Sequence, residues 1–87
     1  MTNTKPIEFS QHAAQRLAER GATEPEAIAA IREGDWTGAR GDRYESEAVF
    51  GYNSEWHGRY YRYKTVRPVF TEESTRIVVV TVYVYFS

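Results

Sequence analysis

Thr23-Glu24-Pro25-Glu26-Ala27-Ile28-Ala29-Ala30-Ile31-Arg32-Glu33-Gly34-Asp35-Trp36-Thr37-Gly38 is the stretch on which the fold turns. Its first half carries the marks of a helix start. Thr23 and Glu26 stand at capping-box spacing, and Pro25 falls in the first turn, where its missing N–H is no loss. Ala27, Ile28 and Ile31 recur at helical spacing and define a core face that runs to about Glu33. At Gly34 that period stops. The chain before it has a helical pattern and the chain after it alternates.

Working upstream, Gly21 ends a second helical stretch, Gln11 to Arg20, which contains no glycine, proline or β-branched residue. Ser10 is placed to cap it. Phe9, Ala13, Ala14, Leu17 and Ala18 fall on one arc, which predicts the buried face, and residues 7–9 form a short apolar lead-in. Working downstream, residues 35–42 read as a loop with room for a brief strand. Residues 43–52 alternate, with Tyr44, Ala48, Phe50 and Tyr52 towards one face. Asn53-Ser54-Glu55 reads as a turn, residues 56–70 as a long strand, Thr71–Thr75 as a polar turn, and residues 75–86 as a last strand. That strand is apolar on both faces, Ile77/Val79/Thr81/Tyr83/Tyr85 and Val78/Val80/Val82/Val84/Phe86. Coverage on both sides or a dimer edge would each explain this. The expected architecture is α+β, with helices at 11–20 and 24–33 packed on a three- to four-stranded antiparallel sheet, as one domain spanning 1–87.

The 87 residues are 41% hydrophobic and 26% charged, which is ordinary globular usage and unlike a disordered chain. There is no cysteine, so disulfides, thiolate metal sites and a cysteine nucleophile are excluded. The polar start, Met-Thr-Asn-Thr-Lys-Pro, has no signal-peptide character, and the longest apolar run is too short for a membrane helix. The expectation is a soluble cytoplasmic protein that does not engage a membrane. The net charge of −1 is unevenly spread, because residues 56–71 carry Arg59, Arg62, Lys64 and Arg67 with no acid. Nine of the eleven basic residues are arginine, the side chain suited to bidentate phosphate contacts.

Two constellations can carry chemistry. The first is the stripe His12, Arg16, Arg20, whose spacing of four sets the side chains in a row beside the apolar arc. Such a row either aims imidazole and guanidinium groups into a cleft or forms a solvated flank, with Arg16 or Arg20 paired to Glu19 or Glu24. The second is the strand from Trp56 to Arg67, where basic groups interleave with aromatics. Phosphates would take the cations and unstacked bases the rings, or the cations face water over packed tyrosines. On regular alternation Arg62 and Lys64 share one face, and Arg59 and Arg67 the other. There is no P-loop, no dinucleotide fingerprint, no metal-ligand spacing and no serine-hydrolase elbow.

Phe9-Ser10-x-His12-Ala13-x-x-Arg16-Leu17-x-Glu19-Arg20-Gly21, followed by a second helix and a terminal strand ending Val80-Thr81-Val82-Tyr83, resembles the domain of unknown function 4258 family. That family is grouped with the RelE-like and barnase/EndoU/colicin ribonuclease fold. The resemblance implies a metal-independent, cofactor-free RNA-cleaving domain of the toxin–antitoxin type, with an antitoxin protein as partner. It implies a site centred on His12 and Arg16; metal-free cleavage chemistry then adds Tyr83 as a third catalytic residue, to orient the phosphate or donate a proton, and Arg20, Arg62, Lys64 and Thr81 as substrate contacts. Imidazole suits a proton-transfer role because it ordinarily titrates near neutrality. Two rivals remain open: a non-enzymatic interaction module, dimerising or binding a partner through its Val-rich strand, and an RNA-binding domain with the same fold.

Overall fold

The computed structural model describes residues 4–87. The start of the polar N-terminal stretch, residues 1–3, lies outside the described residues. The described chain holds two helices and six strands in the order β1 (Ile7–Phe9), α1 (Gln11–Arg20), α2 (Glu24–Glu33), β2 (Thr37–Gly38), β3 (Tyr44–Glu45), β4 (Ala48–Trp56), β5 (Arg59–Glu72) and β6 (Ile77–Phe86). No helix among the described residues is long and apolar enough to cross a membrane.

Both helices lie where the caps place them. Ser10 Oγ accepts the Ala13 N–H at 3.1 Å, and Gly21 ends α1 in the left-handed region at φ 77°. For α2, Thr23 Oγ1 accepts the Glu26 N–H at 3.3 Å while Glu26 Oε1 accepts the Thr23 N–H at 3.0 Å, closing the capping box. The Trp36 indole N–H then donates to the Ile31 carbonyl at 2.8 Å and satisfies one of the last open acceptors of α2. The buried face is narrower than the expected arc. Ala13 and Leu17 are fully covered, but Ala14 and Ala18 are exposed, because α1 rests on the rim of the sheet and offers it a single stripe. On α2, Ala27, Ala30 and Ile31 are buried and Ile28 is half-buried.

The sheet departs from expectation in size and in sense. It has six strands and is mixed, in the order β1-β6-β5-β3-β2, with β4 also paired to β5. The lead-in at residues 7–9 is a true strand, and β1 runs parallel to β6 with Ile7 opposite Ile77 and Phe9 opposite Val79. Strands β3 and β4 lie along the same side of β5 and are interrupted at Ser46 and Glu47. The interruption sits across from Pro68, whose carbonyl accepts the Ser46 N–H at 3.4 Å. In an antiparallel strand a residue's N–H and C=O point the same way, so the missing proline N–H faces this gap.

Two further differences are bulges and turns. The expected turn at Asn53–Glu55 is instead an irregularity inside β4, and the hairpin closes at His57-Gly58. Both of those residues have positive φ, 52° and 80°, which matches the tight turn favoured between twisted strands. In β6 the register shifts by one residue, since Phe70 faces Val79 and Val69 faces Thr81. That bulge reverses which side chains point inward. Ile77 and Val79 are buried before it and Val82 after it, with Val84 half-buried against the same cluster. A strand that changes face midway needs apolar residues on both faces, which accounts for its composition. The core lies between the helices and this side of the sheet, with Phe70, Ile31, Ile77, Val66 and Val79 among its largest members.

Candidate functional site

Only residues 77–79 of β6 pair with β1, which leaves the rest of that strand edge with unpaired backbone groups. Helix α1 closes it. The Ser10 N–H donates to the Val79 carbonyl at 3.0 Å, Ser10 Oγ donates to the Val80 carbonyl at 3.4 Å, and Arg20 Nη1 donates to the Val82 carbonyl at 2.7 Å. Thr81 and Tyr83, two residues apart, project from the same stretch. His12 Nε2 lies 3.3 Å from Thr81 Oγ1, and the Arg20 guanidinium carbon lies 5.2 Å from the centre of the Tyr83 ring. His12 and Arg20 are separated by eight residues, about 12 Å of helix rise, yet they meet strand residues only about 7 Å apart. The arginine achieves this with its long stem. His12 is exposed, Thr81 half-buried and Tyr83 43% exposed, so the row is open to a ligand.

Arg16 lies in the same helical row but makes an ion pair with Glu19 instead of reaching the strand. Glu19 was one of the two acids expected to neutralise the stripe in its solvated reading. The arrangement therefore forms two neighbouring pairs of the expected residues, His12 with Thr81 and Arg20 with Tyr83, while Arg16 on the same helix face pairs with Glu19.

Arg62 and Lys64 are not in this row. The N–H groups of Arg62 and Tyr63 both donate to the Ser87 carbonyl, at 3.0 and 2.9 Å, so β5 is bulged there and its alternation does not carry across. Arg62 is exposed, whereas Lys64 is 6% exposed on the helix side. Lys64 Nζ donates to the Gly21 carbonyl at 2.9 Å and pairs with Glu26 Oε1 at 2.9 Å, with the Tyr52 ring centre 5.4 Å away. Its charge joins the end of α1 to the first turn of α2. Sequence spacing carries no sign of this, because Gly21 and Glu26 approach Lys64 only through the tertiary fold.

The outer face of the sheet bears further rings. Tyr63, Tyr83 and Tyr85 are roughly half exposed, and the Arg67 guanidinium carbon lies 5.2 Å from the Tyr85 ring centre. Arg67 also meets Glu47, Nε at 3.0 Å and Nη2 at 2.7 Å from Oε1. The hydrogen bond to Glu47 is the main reason its guanidinium is held even more firmly protonated than usual. Among the described residues no group of three or more His, Asp or Glu side chains is disposed to hold a metal ion. No protein-family model, no curated protein and no solved structure matches the chain.

Proposed function

We propose that the protein acts on RNA and cleaves it without a metal at the α1–β6 row, as a toxin-like domain of the RelE-like kind. The observation that carries this reading is the exposed His12 imidazole against Thr81, beside the Arg20–Tyr83 pair. In such a reaction His12 takes the proton from the ribose 2′-hydroxyl, and the 2′-oxygen attacks the adjacent phosphorus. The 5′-oxygen leaves with a proton, supplied by Tyr83 or by water, to give a 2′,3′-cyclic phosphate. Thr81 orients the imidazole. Arg20, and Arg16 once released from Glu19, stabilise the charge that accumulates on the phosphoryl oxygens. Exposed Arg62 offers a further phosphate contact outside the row.

The test is RNA cleavage in excess chelator, paired with a melting curve for each variant. His12→Ala is expected to abolish cleavage without lowering the melting temperature, because an exposed side chain with one hydrogen bond contributes little to folding. Arg16→Ala is expected to slow cleavage by the equivalent of about 3 kcal/mol, the loss typical of one transition-state cation or donor. Arg16→Lys is expected to rescue poorly, since a point charge lacks the bidentate fork. Wild-type protein that leaves every RNA intact overturns the enzymatic reading.

A second reading has its own support: an RNA-binding module that does not cut. The Arg16–Glu19 pair ties up a cation of the His12 row and Lys64 is buried elsewhere against Gly21 and Glu26, while the tyrosines of the outer face remain available for base stacking. Binding without cleavage, lost on tyrosine substitution and insensitive to His12→Ala, would establish it.

A further inference from the structure

Away from the α1–β6 row, the sheet ends on a strand edge that no other described strand pairs. Strand β4 pairs with β5 alone. The Ser46 N–H donates to the Pro68 carbonyl, and Ala48 and Phe50 continue the same register opposite Val66 and Lys64. These three residues therefore turn their backbone groups towards β5, and residues of the other parity turn theirs outward. Upstream, the outward groups are used: the Arg43 carbonyl accepts the Ala39 N–H at 2.8 Å, and Glu45 pairs with Thr37 of β2. Downstream, β2 has ended. Val49 and Gly51 there hold outward N–H and C=O groups with no backbone partner among the described residues.

This stretch of edge is open. Gly51 is exposed, and with no side chain its exposure is that of its backbone. Apart from its chain neighbours, a Cβ built on it would meet one atom within 4 Å, Nδ2 of Asn53 at 3.9 Å. Val49 is 62% exposed. Edge strands of soluble proteins are ordinarily guarded by lysine, proline or a bulge, or are very short. Strand β4 has nine residues without lysine or proline, and its irregularity lies beyond the open stretch, between Gly51 and Ser54. The charge around it is of one sign, because residues 44–58 include Glu45, Glu47 and Glu55 and no lysine or arginine. A Cβ on Gly34 would lie 2.9 Å from the Glu47 carbonyl oxygen, so the neighbours of Gly34, Glu33 and Asp35, sit at the start of the edge. Glu33, Asp35 and Glu55 have no ion pair among the described residues.

We infer that the Val49–Gly51 edge of β4 binds an extended, basic segment of a partner protein as an added strand. Main-chain hydrogen bonds to Val49 and Gly51 supply the attachment, and alternate side chains of the segment supply the choice of partner. An added strand sets every second side chain on the outer face, beside Val49 and over bare Gly51, where Tyr63 stands opposite on β5. Small apolar side chains fit those two positions. Residues flanking them meet Glu47 and Asp35 at one end and Glu55 at the other, which calls for arginine or lysine there. The same carboxylates repel a phosphate backbone, so this edge and the RNA face take different ligands. They also disfavour a second copy, since β4 paired with β4 would set like charges along one ladder.

The inference is independent of the RNA reading and is tested by amide NMR on the intact chain, titrated with the capped peptide Arg-Thr-Val-Thr-Val-Thr-Arg. Its palindromic sequence serves a parallel or an antiparallel added strand alike. Saturable shifts are expected across residues 47–51, with Kd of about 0.5 mM or tighter. The same peptide with Glu at both ends is expected to bind roughly tenfold more weakly at low salt, with the gap narrowing at about 0.5 M salt. Val49→Pro is the sharpest variant, because the N–H it removes points away from β5 and the β4–β5 ladder keeps its bonds. It is expected to weaken binding by about fivefold or more, the worth of one main-chain hydrogen bond. Val49→Lys changes only an exposed side chain and adds the guard that such edges ordinarily carry, so it is expected to weaken binding without lowering the melting temperature. Where proline strains the strand, the lysine variant decides. The inference is overturned by absence of saturation at about 5 mM peptide, some tenfold above that Kd. Equal binding of the Glu-ended peptide, or unchanged affinity in the Val49→Lys variant, overturns it equally. A dimer of the chain alone that Val49→Pro dissolves also overturns it, by giving the edge to a second copy.

Discussion

A buried ammonium needs partners in place of water, and Lys64 has two: the Gly21 carbonyl and the Glu26 carboxylate. Removing Lys64 leaves Glu26, itself largely covered, without its cation, and leaves an acceptor at the end of α1 open. Lys64→Ala is expected to destabilise the fold by about 2–4 kcal/mol, the range for breaking a buried pair from one side, discounted because Glu26 retains some water. Lys64→Met keeps the stem packing and is expected to lose about half as much. Urea unfolding of both variants checks this, and equal, small losses would show that the pair contributes nothing. At this scale the sequence was informative in one direction only. The row of His12, Arg16 and Arg20 is legible because α1 is regular and spacing alone sets side chains on one face. Where each side chain ends was not legible: Arg20 reaches a strand 62 residues away, and Lys64 reaches a carbonyl 43 residues away. Such partners are brought together by folding and leave no local pattern.

The two helices follow from local chemistry, since caps, proline placement and terminal glycines all act within one turn, and the structure puts both at the expected residues. The strands depended on distant pairing. Strand β1 is three residues long and is a strand only because Ile77–Val79 lie beside it. Pro68 argues against a central strand, yet β5 keeps it by leaving a gap opposite, between β3 and β4. Gly21 links the two kinds of element. It needs the left-handed region, and a Cβ built on it would lie 2.7 Å from the Trp56 ring, which is itself stacked on Phe86 and His57. Gly58 has the same backbone requirement, φ 80°, but open space around it. Gly58→Ala is therefore expected to cost only the backbone term, about 1–2 kcal/mol. Gly21→Ala is expected to cost about 1 kcal/mol more, the least typical of overpacking, and to change the near-ultraviolet circular dichroism of Trp56. Equal losses in the two variants would mean that Trp56 yields freely, and that the join between α1 and the β4–β5 hairpin is loose.

At the scale of the whole molecule, the question is what the outer face of the sheet meets. An apolar terminal strand suggests a second copy as its cover, but β6 is interior to the sheet. Its free edge is held by α1 and its cap at Val79, Val80 and Val82, and its bulge turns Val82 and Val84 to the same side as Ile77 and Val79. What remains outside is mainly aromatic and polar, Tyr63, Tyr83 and Tyr85 with Thr65 and Arg67, beside half-buried Val78 and Val80 and with Val49 as the large exposed aliphatic. Arginines lie over two of the rings, which keeps the surface wettable. A stable dimer through such a face would need about 800 Å² of well-packed surface from each copy. The chain is thus expected to sediment as a monomer at about 100 μM, a concentration at which a dimer with a 1 μM Kd would be largely assembled. On the RNA-binding reading, it is single-stranded RNA that occupies this face. Tyr83→Ala with Tyr85→Ala is expected to weaken oligonucleotide binding by roughly 30-fold or more, given about 1–3 kcal/mol for each of two stacked bases, while leaving the slope of log K against log salt unchanged. Stacking contributes no counterion release, so the slope separates it from phosphate contact. Loss of affinity with a shallower slope would show that the tyrosines act by positioning Arg20 and Arg67. A dimer that the double variant dissolves would show that the face belongs to a second copy instead of RNA.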